Sequence, residues 1–130
     1  MKSTAMEKWH DLVRNRDIAG LDAILADDAT FYSPVVHTPQ AGKEIARMYL
    51  SAAAEILFGG DFQYVREWYG EKDAVLEFQL EIDGVVINGV DIITWNDDEQ
   101  IVDFKVMIRP WKAIELLRDR MLQAMQAHGA

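Results

Sequence analysis

Residues 74–95 read AVLEFQLEIDGVVINGVDIITW, and this stretch decides the fold. In its first half Ala74, Leu76, Phe78, Leu80 and Ile82 alternate with positions that include Glu77, Gln79 and Glu81, the period of a half-buried strand. Asp83-Gly84 is a pair suited to a two-residue hairpin turn, where both positions take a positive φ. Such a turn sets the register of the return strand. Ile82 faces Val85, Leu80 faces Ile87, Phe78 faces Gly89 and Leu76 faces Asp91. Paired residues share a face, so Asp91 is aimed at the apolar side together with Ile87, Ile93 and Trp95, unless a bulge intervenes.

Outward from the hairpin, residues 101–108 form a further strand, and residues 62–69 a preceding one. The pattern leaves open the inward parity of residues 62–69 and the orientation of Glu67. The upstream third reads as helices. Thr4 and Glu7 have capping-box spacing, and Met6, Trp9, Leu12 and Val13 follow at helical intervals. Asp17 can cap a short second helix bearing Ile18, Leu21, Ile24 and Leu25, which stops at Asp27-Asp28. An extended piece over residues 29–33 runs into Pro34. A third helix places Ile45, Met48, Tyr49, Ala52 and Ile56 on one face and ends before Gly59-Gly60. Pro110 suits the opening of a terminal helix with Trp111, Ile114, Leu117, Met121 and Met125. Helices followed by an antiparallel meander predict one α+β domain over residues 1–130, with helices packed on one face of a curved sheet.

The composition excludes several partners. Thirteen Lys and Arg against 22 Asp and Glu give a net charge of −9, unsuited to nucleic acid or an anionic membrane. Half the residues are hydrophobic, so the chain can build a core, and without cysteine it does so without disulfides or thiolate metal sites. Residues 61–103 hold twelve of the acids and two of the bases. Most of these acids fall at turns or on the outer sheet face; Asp91 alone points inward. Residues 1–9 lack a signal-like apolar core and no uncharged stretch approaches membrane-spanning length, so a cytoplasmic location is expected.

Two roles are open for Asp91. Burial can hold it as a protonated donor or a base within a pocket, or neighbouring polar groups can satisfy it in a structural network.

The order of elements, together with Ala26-Asp27-Asp28-Ala29-Thr30 running into Phe31-Tyr32-Ser33-Pro34, resembles the SnoaL-like branch of the nuclear transport factor 2-like superfamily. The resemblance implies a cone-shaped, cystatin-like α+β fold. Its strongly bent, mostly antiparallel mixed sheet carries the N-terminal helices on its concave face, adds a C-terminal helix and encloses a deep pocket. It implies no single reaction, since the superfamily includes ketosteroid isomerases, polyketide cyclases, dehydratases, epoxide hydrolases and non-catalytic binding domains. Asp91 matches the protonated Asp of the ketosteroid isomerases' oxyanion hole. Their catalytic base falls at Ser33 and their oxyanion-hole Tyr at Trp9. A serine hydroxyl does not abstract a carbon-bound proton unaided, and an indole only donates, so ketosteroid isomerisation is not expected.

The resemblance also places His37 at the pocket mouth, where it would pair with Asp91 as acid and base; its other reading is a solvated loop residue. Tyr49 would lend a phenol to the pocket, or serve as a core aromatic. Phe31, Phe78, Phe104, Ile108 and Trp111 would line an apolar cavity with Trp9 and Ser33. His10 and His128 read as surface residues, and the histidine spacing predicts no metal site. Val86, Val90, Ile92, Ile101 and Met107 leave the outer sheet face half apolar, which points to a partner. The resemblance, whose members often dimerise through the sheet, implies a homodimer there, although the terminal helix could cover the face instead. The expectation is a domain that takes an apolar or amphipathic small molecule, with Asp91 as acid or anchor. If it is catalytic, it is an isomerase or lyase that moves protons without a cofactor. The alternative is a non-catalytic ligand-binding or assembly domain.

Overall fold

The computed structural model describes residues 3–127; His128 lies outside them. Helix α1 (Thr4–Asn15) is followed by a 3-10 turn (Ile18–Gly20), the single-turn α2 (Leu21–Ile24), β1 (Leu25–Tyr32), β2 (Gln40–Ala41) and α3 (Lys43–Leu57). Strands β3 (Gln63–Tyr69), β4 (Asp73–Ile82), β5 (Val85–Trp95) and β6 (Ile101–Arg109) then lead into α4 (Trp111–Ala127). The six strands form one mixed sheet in the order β2-β1-β6-β5-β4-β3, with β1 parallel to β6 and every other pair antiparallel. The sheet curls without closing, and the helices pack into its concave side.

The β4–β5 ladder runs unbroken from Ile82↔Val85 to Asp73↔Thr94, so Leu76 faces Asp91 as the turn requires. Asp83 and Gly84 take φ of 51° and 80°, the left-handed pair of a type I′ turn. Inward residues Leu76, Phe78, Leu80, Ile87 and Ile93 are each 2 % exposed or less and form the floor of the core. Aromatic rings fill the cone above them. Trp9 meets Phe104 edge-on at 4.8 Å, and Phe62 stacks on Phe78 at 5.3 Å.

Several elements depart from the sequence expectation. Ser3, not Thr4, caps α1, its hydroxyl accepting from the Met6 amide. The second helix stops at Ile24, and β1 begins at Leu25 instead of residue 29, because Leu25 pairs with Ile101 across the parallel β1–β6 ladder. On α3 the buried residues are Ala46, Leu50, Ala52, Ala53, Ala54 and Leu57. Of the expected face Ala52 is buried and Tyr49 and Ile56 pack half-buried against the core, while Ile45 and Met48 are exposed. That helix is apolar on two sides, and its alanines permit the closer approach to the sheet. A bulge at Val102, between Thr94↔Asp103 and Trp95↔Ile101, turns Ile101 inward, so it is core and not part of the outer face.

Helix α4 joins the concave side. Ala113, Leu117 and Met121 are buried in the same core, and Arg120 pairs with Asp83 of the hairpin turn. The outer face therefore stays uncovered by α4, with Trp68, Val86 and Met107 about half exposed. Among the described residues, no helix is long and apolar enough to cross a membrane.

Candidate functional site

Asp91 is the one charged residue buried in the core among the described residues, 4 % exposed. Its carboxylate Oδ2 accepts a hydrogen bond of 2.5 Å from the Tyr64 hydroxyl, and that hydroxyl accepts in turn from the Trp9 indole N–H at 2.9 Å. Each group performs the role its chemistry allows: the indole donates, the phenol does both, the carboxylate accepts. Three elements thus meet at one point: α1 supplies Trp9, β3 supplies Tyr64 and β5 supplies Asp91.

Burial pushes the Asp91 carboxyl up to about 7, against the opposing pull of the Tyr64 hydrogen bond. The Tyr64 phenol is driven well above its ordinary range, first by burial and then by the adjacent Asp91 charge. The proton between them therefore stays on Tyr64, and Asp91 is the member of the pair that titrates near neutrality.

Asp91 also lines a small space between α1, α3 and the sheet, with Trp9, Leu50, Ala53, Phe62 and Phe104 among its apolar walls. Its volume is about 20 Å3, room for little more than one water. The cone is thus largely filled by its own side chains, not the deep pocket that the resemblance implies.

The sequence-derived candidates divide among several locations. Trp9, Phe104 and Asp91 share the small cavity. Phe31 and Phe78 are fully buried in the packed core, and Tyr49 leans against it half-buried. Ser33, His37 and Ile108 gather elsewhere, along a surface groove of about 500 Å3. There Ser33 accepts from the Val35 amide in a local turn, and His37 is exposed. No hydrogen bond links His37 to Asp91 among the described residues, so the structure does not bring this expected pair together. Trp111 is a correction: at the start of α4 it stands 70 % exposed, because the helix turns Ala113 and Leu117 inward instead.

Tyr64 and Glu67 escaped the sequence reading, for one physical reason. Val65 is a bulge between Tyr64↔Phe78 and Arg66↔Glu77, so Tyr64 faces inward before it, and Glu67 and Tyr69 face inward after it. No single parity fits that strand. Beside the Trp9–Tyr64 contact, the His10 ring bonds the Met6 carbonyl at 2.7 Å and Glu67 at 3.1 Å, and Tyr69 donates to Glu67. Consecutive residues Trp9 and His10 thereby dock α1 onto β3 through polar groups. His10 is therefore not the free surface residue expected. Among the described residues, no cluster of three or more His, Asp or Glu is placed to hold a metal.

Replacing Tyr64 by Phe removes Asp91's hydrogen-bond donor and leaves the Trp9 N–H unpaired. The carboxyl midpoint should climb further above 7, and stability should fall by about 1–3 kcal/mol. Carboxyl-carbon NMR across pH, with urea unfolding, checks both effects; an unmoved midpoint would show that the 2.5 Å bond does not act on Asp91.

Comparison with known proteins agrees with this geometry. A family model described as a SnoaL-like domain matches residues 6–104. The chain is similar to a crystal structure described as a steroid delta-isomerase from Pseudomonas aeruginosa, at 33 % identity and TM-score 0.90, covering 95 % of this chain and 90 % of that one. It is also similar to a protein with a cystatin-like fold from Silicibacter pomeroyi, at 30 % identity and TM-score 0.84, covering 92 % and 84 %. A nuclear transport factor 2-like protein from Mesorhizobium loti shares the fold at 20 % identity and TM-score 0.69, covering 82 % and 88 %. No curated protein matches. With the family matched over most of its length and the fold matched throughout, the chain belongs to the SnoaL-like domain family of the nuclear transport factor 2-like superfamily.

Proposed function

We propose that the protein takes an apolar or amphipathic small molecule into the cone beside Asp91 and moves a proton on it. The observation that carries this reading is a single buried carboxyl, held on one side by Tyr64, at the wall of an otherwise apolar cavity. With a midpoint near 7, such a group can take a proton from one carbon and return it to another, which is isomerase- or lyase-type chemistry. The likeness to a steroid delta-isomerase supports an unsaturated ketone as substrate class. A steroid is not the substrate proposed, because Ser33 brings no carboxylate and the 20 Å3 space admits a ligand only by widening. The wall that gives is α3, whose Ala53 and Ala54 face the cavity and whose C-terminal end runs into Gly59-Gly60.

The test uses cyclohex-3-enone, whose conversion to the conjugated isomer is followed by ultraviolet absorbance. Asp91→Asn is expected to lower turnover by about 100-fold or more. Equal turnover in both proteins would remove Asp91 from the chemistry.

One observation favours a second reading. Asp91 is the single ionisable residue lining the cavity, with Tyr64 behind it, and one carboxyl suffices to anchor a ligand without reacting with it. A ligand that shifts the Asp91 carboxyl resonance but is never converted would decide for binding alone.

The uncovered outer face, with Trp68, Val86 and Ile92 on β3 and β5, supports a homodimer through the sheet. Analytical ultracentrifugation at micromolar concentration should show twice the chain mass; a single species of monomer mass would end this proposal.

A further inference from the structure

The groove of about 500 Å3 lies where two parallel strands stop matching in length. Strand β1 pairs with β6 only as far as Tyr32↔Lys105, and β6 continues for four more residues, Val106 to Arg109. On its other side this extension is fully paired with β5, through Asp91↔Val106 to Asn88↔Arg109.

The hairpin turn fixes which backbone groups are left over. Ile82 and Val85 close the type I′ turn as a hydrogen-bonded pair, so odd residues of β5 bond to β4 and even ones to β6. Met107 and Arg109, opposite Val90 and Asn88, therefore bond to β5. Val106 and Ile108 point their peptide groups the other way. The Val106 N–H is taken by the Tyr32 carbonyl in the last step of the β1–β6 ladder, while the Val106 carbonyl and both groups of Ile108 are directed toward the groove. No loop backbone bonds to Ile108 among the described residues. About 10 Å of strand edge, from Met107 to Arg109, is open there.

The walls are specific. The loop after β1 contributes Pro34, Val36 and Pro39, which are apolar, and its two prolines offer no N–H to the edge. On the outer face Lys105, Met107 and Arg109 follow at alternate positions of β6, and Lys105 makes no ion pair within 4 Å among the described residues. Its ammonium rests over the Tyr32 ring at 5.0 Å, and its charge is felt by Asp103 two residues back. In a chain of net charge −9, none of the groove's ten lining residues is acidic.

We propose that this groove binds an extended acidic peptide segment of a partner protein, which adds a strand to β6 where β1 leaves off. The bound strand bonds to the free Val106 carbonyl and to the N–H and carbonyl of Ile108. Its alternate side chains divide: apolar ones settle against Val36 and Ile108, and carboxylates reach Lys105 and Arg109. A second copy of this chain is disfavoured as occupant, because antiparallel pairing of two β6 edges would oppose Lys105 and Arg109 to one another.

Three probes test this with the full chain: an acetylated, amidated pentapeptide alternating valine and glutamate, its lysine counterpart, and the glutamate peptide N-methylated at alternate amides. Binding is followed through backbone amide NMR shifts. The expected result is movement of the Val106–Arg109 amides, about tenfold tighter binding of the glutamate than the lysine peptide, and loss of binding on N-methylation. Lys105→Glu should reverse the charge preference; if that variant misfolds, Lys105→Gln should weaken the glutamate peptide only. The proposal is overturned if these amides stay unmoved at millimolar glutamate peptide, or if the N-methylated peptide binds equally, which would mark a merely apolar groove. Protection of the Ile108 amide in peptide-free protein, with a dimer in sedimentation, would assign the edge to a second copy and overturn it as well.

Discussion

Asp91→Asn is expected to make the protein markedly more stable above pH 7, while removing the pH dependence that Asp91 imposes. The native carboxyl titrates at about 7, whereas an unfolded aspartate titrates near its model value of 3.8. Between these limits the folded chain holds a proton that the unfolded chain has released, so stability falls as pH rises. Above 7 both states are ionised and the loss is complete. A raised carboxylate thus contributes least to stability at high pH, the opposite of a salt-bridged one. The gap corresponds to a penalty on the order of 4 kcal/mol. Asn is neutral at every pH, nearly isosteric, and its amide oxygen can still accept from Tyr64. Thermal unfolding at pH 8 should show the variant melting on the order of 10 °C higher, with the difference shrinking toward pH 4. Parallel melting curves across that range would mean that Asp91 is not buried as a carboxyl of raised affinity for protons. A gain in stability joined to the loss of turnover is what a strained, working carboxyl predicts.

Gly89→Ala should have the second largest effect, in the other direction. Gly89 lies opposite Phe78 on the inner face, and an added Cβ would come within 2.5 Å of the Met107 carbonyl oxygen and 2.6 Å of Phe78 Cζ. The carbonyl belongs to β6, held in its ladder with β5, and the Phe78 ring is stacked against Phe62 at 5.3 Å. Neither neighbour can yield without breaking a pairing or opening the aromatic cluster, so a loss of about 3 kcal/mol in urea unfolding is expected. Gly59→Ala is the control: its Cβ would meet only the Ile56 carbonyl, at 3.8 Å, and should change stability little. A Gly89→Ala protein within 1 kcal/mol of wild type would show that the sheet relaxes there more readily than its pairing implies.

Both predictions concern residues whose direction the β4–β5 pattern revealed, and that is where sequence reading was strongest. A two-residue turn leaves one register, and alternation then assigns every side chain a face, including Asp91. The reading failed wherever an extra residue interrupts alternation. Val65 and Val102 are such residues, and they concealed Tyr64 in the first case and the burial of Ile101 in the second. It failed also where two apolar stripes compete on one helix, as on α3, since periodicity ranks neither stripe above the other. Trp111 misled for a related reason: a large ring at a helix start reads as core until the neighbouring helix shows which side faces in.

By itself, then, the sequence determined the α+β order of elements, the hairpin register, the family resemblance and the inward carboxylate, all properties set by spacings of a few residues along one strand or helix. Tertiary structure alone decided that Tyr64 and Trp9 converge on Asp91, that the cone is filled down to about 20 Å3, and that β6 outruns β1 to leave an open edge. These depend on how far α1 and α3 approach the sheet and on where parallel strands end. Contacts between residues 27 and 55 positions apart, Tyr64 with Asp91 and Trp9 with Tyr64, leave no periodic trace in the chain that makes them.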